Sequence, residues 1–152
     1  MATIDHLLLM AILGHFIGDY LLQPVPMAIG KSKPGWEGAG ICTLHCLVYS
    51  LVVTCMATGT ANPSVFGMVF LSHFPIDRWN LGQKWLDLIG GRNVKTDWRK
   101  ARVEAHGYSL DDLHLPVVTM AFAAIVYTVT DNTLHILLMY IGFLALRFSG
   151  LV

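Results

Sequence analysis

Residues 4–23 read IDHLLLMAILGHFIGDYLLQ, and this mostly apolar stretch of twenty residues decides the fold. A helix needs roughly 20 mostly apolar residues to cross the hydrocarbon core of a bilayer. His15 and Asp19 are ionisable, and such residues inside a membrane helix are costly and usually functional. Because the stretch has neither a basic segment before it nor a small-residue cleavage site, we expect a retained transmembrane helix rather than a signal peptide.

The composition extends this prediction to the whole chain. Its 152 residues are 55% hydrophobic and only 13% charged, whereas soluble domains are roughly a quarter charged. The apolar residues fall into blocks, which predicts an all-α, polytopic membrane helix bundle forming a single domain over residues 1–152. Five transmembrane helices are expected at residues 4–23, 39–58, 64–79, 113–130 and 134–152, with four as the main alternative. The formal net charge of zero argues against nucleic acid as a partner.

The basic residues lie in alternate connections between these predicted helices. Lys31 and Lys33 lie in the first connection, and the third, at residues 80–110, holds most of the others, while the second and fourth have none. Basic loops stay in the cytoplasm, which predicts that the N-terminus lies outside and the C-terminus in the cytoplasm. The segment 80–110 is expected to lie along the headgroups and to bind anionic lipid near Lys95, Arg99 and Lys100. The alternative is a plain topological anchor.

Histidine and aspartate recur together at helical spacing. His15, Asp19 and Gln23 share one face of the first helix, since residues four apart are neighbours on a helix. His73 and Asp77 repeat the spacing in the third. With the predicted orientation, these residues and three others, His45, Asp111 and His114, all lie near the cytoplasmic end, whereas His6 and His135 belong to the outer end.

Imidazole and carboxylate groups at one depth on facing helices are how helix bundles build metal sites. The sequence therefore predicts a divalent metal, either zinc, manganese or iron. The predicted ligands are His15, Asp19, His45, His73, Asp77, Asp111 and His114. The alternatives are hydrogen bonds that only hold the helices together, and a proton or ion path.

The same motifs resemble an uncharacterised family of small bacterial and phage integral membrane proteins. Its members share an H-F-x-G-D-x-x-x-Q helix, then a lone histidine, then H-x-x-x-D and a final Asp/His helix. More distantly, the pattern looks like that of membrane-bound metal-dependent hydrolases. Asp111 departs from it by lying three rather than four residues before His114, and Asn80 stands where the family has a lysine.

The function expected from these residues is metal-dependent hydrolysis of a lipid-like or phosphorylated substrate near the cytoplasmic leaflet. Asp19 or Asp77 would coordinate the metal or act as base, while Gln23 and Lys31 would orient the substrate or neutralise its charge. A second hypothesis is a non-enzymatic protein that binds a host partner through residues 80–110. A third is an ion or proton carrier, which would need to form a homo-oligomer.

Overall fold

The computed structural model describes residues 3–89 and 114–152, with the side chains of 114–117 and 119 excepted. All regular structure within these ranges is helical, which confirms the all-α prediction. The helices are α1 (Ile4–Phe16), continued by a π-helical turn (Ile17–Leu21), α2 (Val25–Gly30), α3 (Gly35–Thr58), α4 (Pro63–Trp79), α5 (Leu81–Leu88) and α6 (His114–Phe148).

Three helices in the described part of the chain are long and apolar enough to cross a membrane. They are Ile4–Leu21, Gly35–Thr58 and Met120–Phe148. With its 17 residues, α4 is about 26 Å long, slightly short of a hydrocarbon core of about 30 Å. The described helices therefore do not confirm the prediction of five transmembrane spans.

The connection predicted at residues 131–133 is wrong, because these residues lie inside α6. Their polarity suggested a turn, but none of them is glycine or proline. The side chains of Asn132 and Thr133 instead bond back to the carbonyls of Thr128 and Val129, each at 2.7 Å. Such bonds within a helix satisfy short polar side chains without ending it.

The chain divides into two compact units, Met1–Asn80 with His135–Val152, and Leu81–Leu134. In the second unit α5 packs closely on α6, since a Cβ added to Gly82 would lie 2.9 Å from Oδ1 of Asp131. One turn of α5 is reinforced by Gln83, which donates a hydrogen bond to Asp87 at 3.1 Å.

In the first unit, α1 and α3 approach each other through two glycines. A Cβ at Gly14 would lie 2.9 Å from the Cα of Val53, and one at Gly18 would lie 2.7 Å from the ring of Tyr49. Small residues four apart on a membrane helix commonly permit such a close approach. Around it lies an apolar cluster formed by Leu7, Ala11, Tyr49, Val53, Ala57, Val65, Val69, Met139 and Phe143.

The end of α6 runs antiparallel to α4, because His135 lies beside Asp77 whereas Gly142 packs against Met68. Since α1, α3 and α4 also alternate in direction, Val152 lies at the same end of this unit as the start of α1. This arrangement does not confirm the prediction that the termini lie on opposite sides. That prediction depends on the expected turn at 131–133, which would add one more crossing.

The end of α1 is irregular where it carries Asp19. The amide of Leu22 donates to the carbonyl of Ile17 at 3.0 Å, five residues back rather than four. Wide turns of this kind are frequent at functional sites.

The chain then continues through α2 into a loop held by Arg78. The guanidinium of Arg78 donates to the carbonyls of Lys33 and Gly35 at 2.7 and 3.2 Å. These two bonds fix the loop that carries Lys31.

Candidate metal site

Four ionisable side chains converge at one end of the first unit. Asp19 comes from the π-helical turn, His45 from α3, and His73 and Asp77 from α4, and their ligand atoms all lie within 4.8 Å of one another. Nε2 of His45 lies 3.0 Å from Oδ2 of Asp77 and 3.1 Å from Oδ1 of Asp19. The corresponding distances from Nε2 of His73 are 3.0 and 3.6 Å.

These separations fit a divalent cation. With metal–nitrogen distances of 2.0–2.1 Å, tetrahedral ligand atoms lie about 3.3 Å from one another. Five of the six separations between these ligand atoms, including 3.0 Å between the two Nε2 atoms, run from 3.0 to 3.6 Å. Oδ1 of Asp19 is buried and accepts no hydrogen bond from the described residues, although both imidazoles lie close by. Its neighbours therefore point toward a common centre rather than toward this oxygen.

The charge at this centre also favours a cation. Among the described residues, Lys31 forms a salt bridge with Asp77, with Nζ 2.8 Å from Oδ2. Two carboxylates then face one ammonium group, and with neutral imidazoles one negative charge remains. A buried charge without a partner is costly, and an added cation would compensate it.

Neighbouring side chains hold the four residues in place. The amide of Gln23 lies 3.1 Å from Nδ1 of His45, and the ring of Tyr49 stacks on His73 with 3.6 Å between ring centroids. The Tyr49 hydroxyl hydrogen-bonds Nδ1 of His15 at 2.8 Å. That same Nδ1 lies 3.4 Å from Oδ2 of Asp19. The imidazoles and carboxylates are thus fixed by packing and by polar partners.

His135 was not among the predicted ligands, yet the structure places it at this site. It is buried, its Nε2 lies 3.8 Å from Oδ1 of Asp77, and its ring lies 4.2 Å from that of His73. The expectation that it belongs to the opposite end is wrong, because α6 does not turn back at residue 131. The spacing of four residues between Asp131 and His135 is the signal that could have identified it.

The structure thus brings together most of the predicted site residues. Asp19, His45, His73 and Asp77 form the centre, while His15, Gln23 and Lys31 contact its members. Asp111 lies outside the described residues, as do Lys95, Arg99 and Lys100, and His114 is described only by its backbone. Cys42 and Cys46 are free thiols with their sulfurs 3.9 Å apart, and they do not belong to the four-residue group.

The apolar helices and the buried His/Asp cluster define the class as a helical membrane protein with a candidate metal site. The chain belongs to the family described as "Protein of unknown function (DUF3307)", whose model matches residues 7–144. This confirms the resemblance to an uncharacterised family. No curated protein and no solved structure matches the chain.

Proposed function

We propose that this protein is a metal-dependent hydrolase embedded in the bacterial inner membrane, with a lipid-like, phosphorylated substrate. The observation that carries the proposal is the convergence of Asp19, His45, His73 and Asp77 within 4.8 Å. Two imidazoles and two carboxylates suit zinc, manganese or iron. The same four residues would hold the ion.

The chemistry follows from these residues. A bound divalent metal makes water nucleophilic near neutral pH and polarises a phosphoryl or carbonyl oxygen. Asp19 is the better placed base, because its side chain is 11% exposed, whereas that of Asp77 is 2% exposed and bonded to Lys31. The water oxygen forms a bond to phosphorus or carbon as the ester bond breaks, and the water proton passes through Asp19 to the leaving oxygen.

The surroundings of the site favour an amphiphilic substrate. Val25 and Ile29 of α2 are 70% and 64% exposed, and Trp36, at the start of α3, is 94% exposed. Apolar and aromatic side chains at this level suit the membrane interface. Lys31 lies next to Asp77 and can neutralise a phosphate, so the substrate class combines an acyl or prenyl tail with a phosphoryl headgroup.

We assign the site to the cytoplasmic side, because the basic residues Lys31, Lys33 and Arg78 lie at its end of the first unit. Both termini would then face outward. Anionic lipid near Lys95, Arg99 and Lys100 remains part of the proposal, as does assembly into a homo-oligomer.

The test uses the full chain purified in detergent. Elemental analysis after loading with zinc or manganese is combined with mass spectrometry of lipid products from mixed micelles of phosphatidic acid, phosphatidylglycerol or diacylglycerol. We expect bound metal and release of phosphate or a phosphorylated headgroup by the parent, and neither from Asp77→Asn. His6→Ala is the control, since His6 is exposed and far from the site.

A folded parent that binds only trace metal would overturn the proposal. The cluster would then serve to hold the helices together through hydrogen bonds. A parent that binds metal but cleaves no lipid in the panel would contradict the substrate class.

A further inference from the structure

We propose that the site holds two metal ions bridged by Asp19 and Asp77, with His15 and His135 as ligands of the second ion. This inference rests on the proposed function, because it extends the same centre. Its basis is that the two oxygens of each carboxylate face different histidines. Oδ1 of Asp19 and Oδ2 of Asp77 face His45 and His73, whereas the other oxygens face a second pair of histidines.

The second pair also lies beside the carboxylates, with one histidine near each. Nδ1 of His15 lies 3.4 Å from Oδ2 of Asp19, and Nε2 of His135 lies 3.8 Å from Oδ1 of Asp77. The rings of His15 and His135 are 5.4 Å apart, and both residues are at most 2% exposed. Two carboxylates that each present one oxygen to either side are the arrangement that places two ions about 3.5–4 Å apart.

The division of ligands among the helices supports the same conclusion. The α1 and α4 segments each give a histidine and an aspartate four residues apart, while α3 and α6 each give one histidine. Helix bundles with two-metal carboxylate centres divide their ligands similarly, with a paired motif on two helices and a single ligand on each of the other two.

The burial of His15 and His135 gives an independent reason to include them as metal ligands. His15, His45, His73 and His135 are all at most 2% exposed in the first unit, and ionisable residues buried in this way in membrane helices are rare and mark functional sites. One tetrahedral ion accounts for two of these histidines. A second accounts for the rest, and when it takes Nδ1 of His15 the Tyr49 hydroxyl can turn to the sulfur of Met139, 3.7 Å away.

Two ions would also determine what else binds. Four positive charges, together with Lys31, exceed the two carboxylates, so the loaded centre would attract an anion. Phosphoryl oxygens that bridge two metals fit this requirement. The inference thus strengthens a phosphorylated headgroup as the reacting group over a neutral ester.

The experiment counts the ions and tests whether they are coupled. Purified full-length protein is loaded with Mn²⁺, freed of excess ion and measured by elemental analysis and electron paramagnetic resonance. We expect about two ions per chain in the parent and in His6→Ala, with the broadened spectrum of an exchange-coupled pair. His135→Asn and His15→Asn should each retain about one ion, with the hyperfine pattern of isolated Mn²⁺, and Asp77→Asn should retain none.

The outcomes separate this inference from the proposed function. One ion in the parent, unchanged in His135→Asn and His15→Asn, would overturn the second site and leave a mononuclear hydrolase. Loss of both ions from folded His135→Asn and His15→Asn would also overturn it, because the two positions would then not be separable. A parent without metal would overturn both proposals.

Discussion

The amide of Gln23 lies 3.1 Å from Nδ1 of His45, on the side of the ring opposite the carboxylates. An imidazole that binds a metal through Nε2 carries its proton on Nδ1 and donates it to an acceptor. The Gln23 atom nearest Nδ1 is Nε2, and turning the amide by 180° places its oxygen there as that acceptor. Its role is therefore to fix the tautomer and orientation of His45.

Gln23→Ala should weaken metal binding by about 10–100-fold, because partners of this kind typically contribute that much to affinity. Gln23→Glu should retain most of the affinity, since the carboxylate still accepts the Nδ1–H bond. Isothermal titration with Zn²⁺ measures both variants. Equal affinities for the alanine variant and the parent would contradict the role assigned to Gln23.

Lys31→Met should bind metal more tightly, by about tenfold, because the ammonium group competes with the ion for Oδ2 of Asp77. The same change should lower turnover of a phosphorylated lipid, since the neutralising charge is lost. Lys33→Met is the matched control, as Lys33 is exposed two residues further on. Titration against a metallochromic indicator gives the affinities. Weaker metal binding by Lys31→Met would contradict the proposal that Lys31 competes with the ion for Asp77.

Gly14→Ala should lower the stability of the folded protein by about 1–3 kcal/mol, the usual cost of overpacking. Its new Cβ would lie 2.9 Å from the Cα of Val53, and backbone atoms cannot move aside cheaply. Gly67→Ala is the control, because nothing lies within 4 Å of a Cβ at that helical position, and alanine favours helices by about 1 kcal/mol. Thermal unfolding in detergent should show opposite shifts for the two variants.

Reporter fusions at both ends of the chain should give the same outward location, and a cysteine in the loop at residues 31–34 should be labelled only from the cytoplasm. The reason is the antiparallel course of α1, α3, α4 and the end of α6, together with the basic residues at the site end. Termini on opposite sides of the membrane would contradict the arrangement of the first unit.

Much of this site could be predicted from short-range spacing. The pairs His15/Asp19 and His73/Asp77 each lie on one helix, so a period of 3.6 residues determines which side chains share a face. Gly14 and Gly18 likewise predict a close contact between helices, because such contacts require small residues. These features depend on neighbours a few residues apart, and the structure agrees with them.

The course of the chain after residue 130 could not be predicted in the same way. Asp131, Asn132 and Thr133 are polar enough for a turn, and whether they end a helix depends on bonds to their own backbone. That local choice decides where His135 lies. The turn predicted over these three residues therefore underlies the expected cytoplasmic C-terminus and hid a member of the site, His135.

The π-helical turn at Ile17–Leu21 determines the directions in which the side chains of this segment point. Up to Phe16 the helix is aligned with α3 by Gly14, and the wide turn keeps Gly18 against Tyr49 while it holds Asp19 beside His45. Each residue in a regular helix turns the chain by about 100°. Deleting Gly18 would restore α-helical winding with the Leu22 amide still bonded to Ile17, but it would bring Asp19 three rather than four residues after His15, so a more regular helix would make a worse site. The metal site therefore depends on the length of this segment as well as on the identity of its ligands.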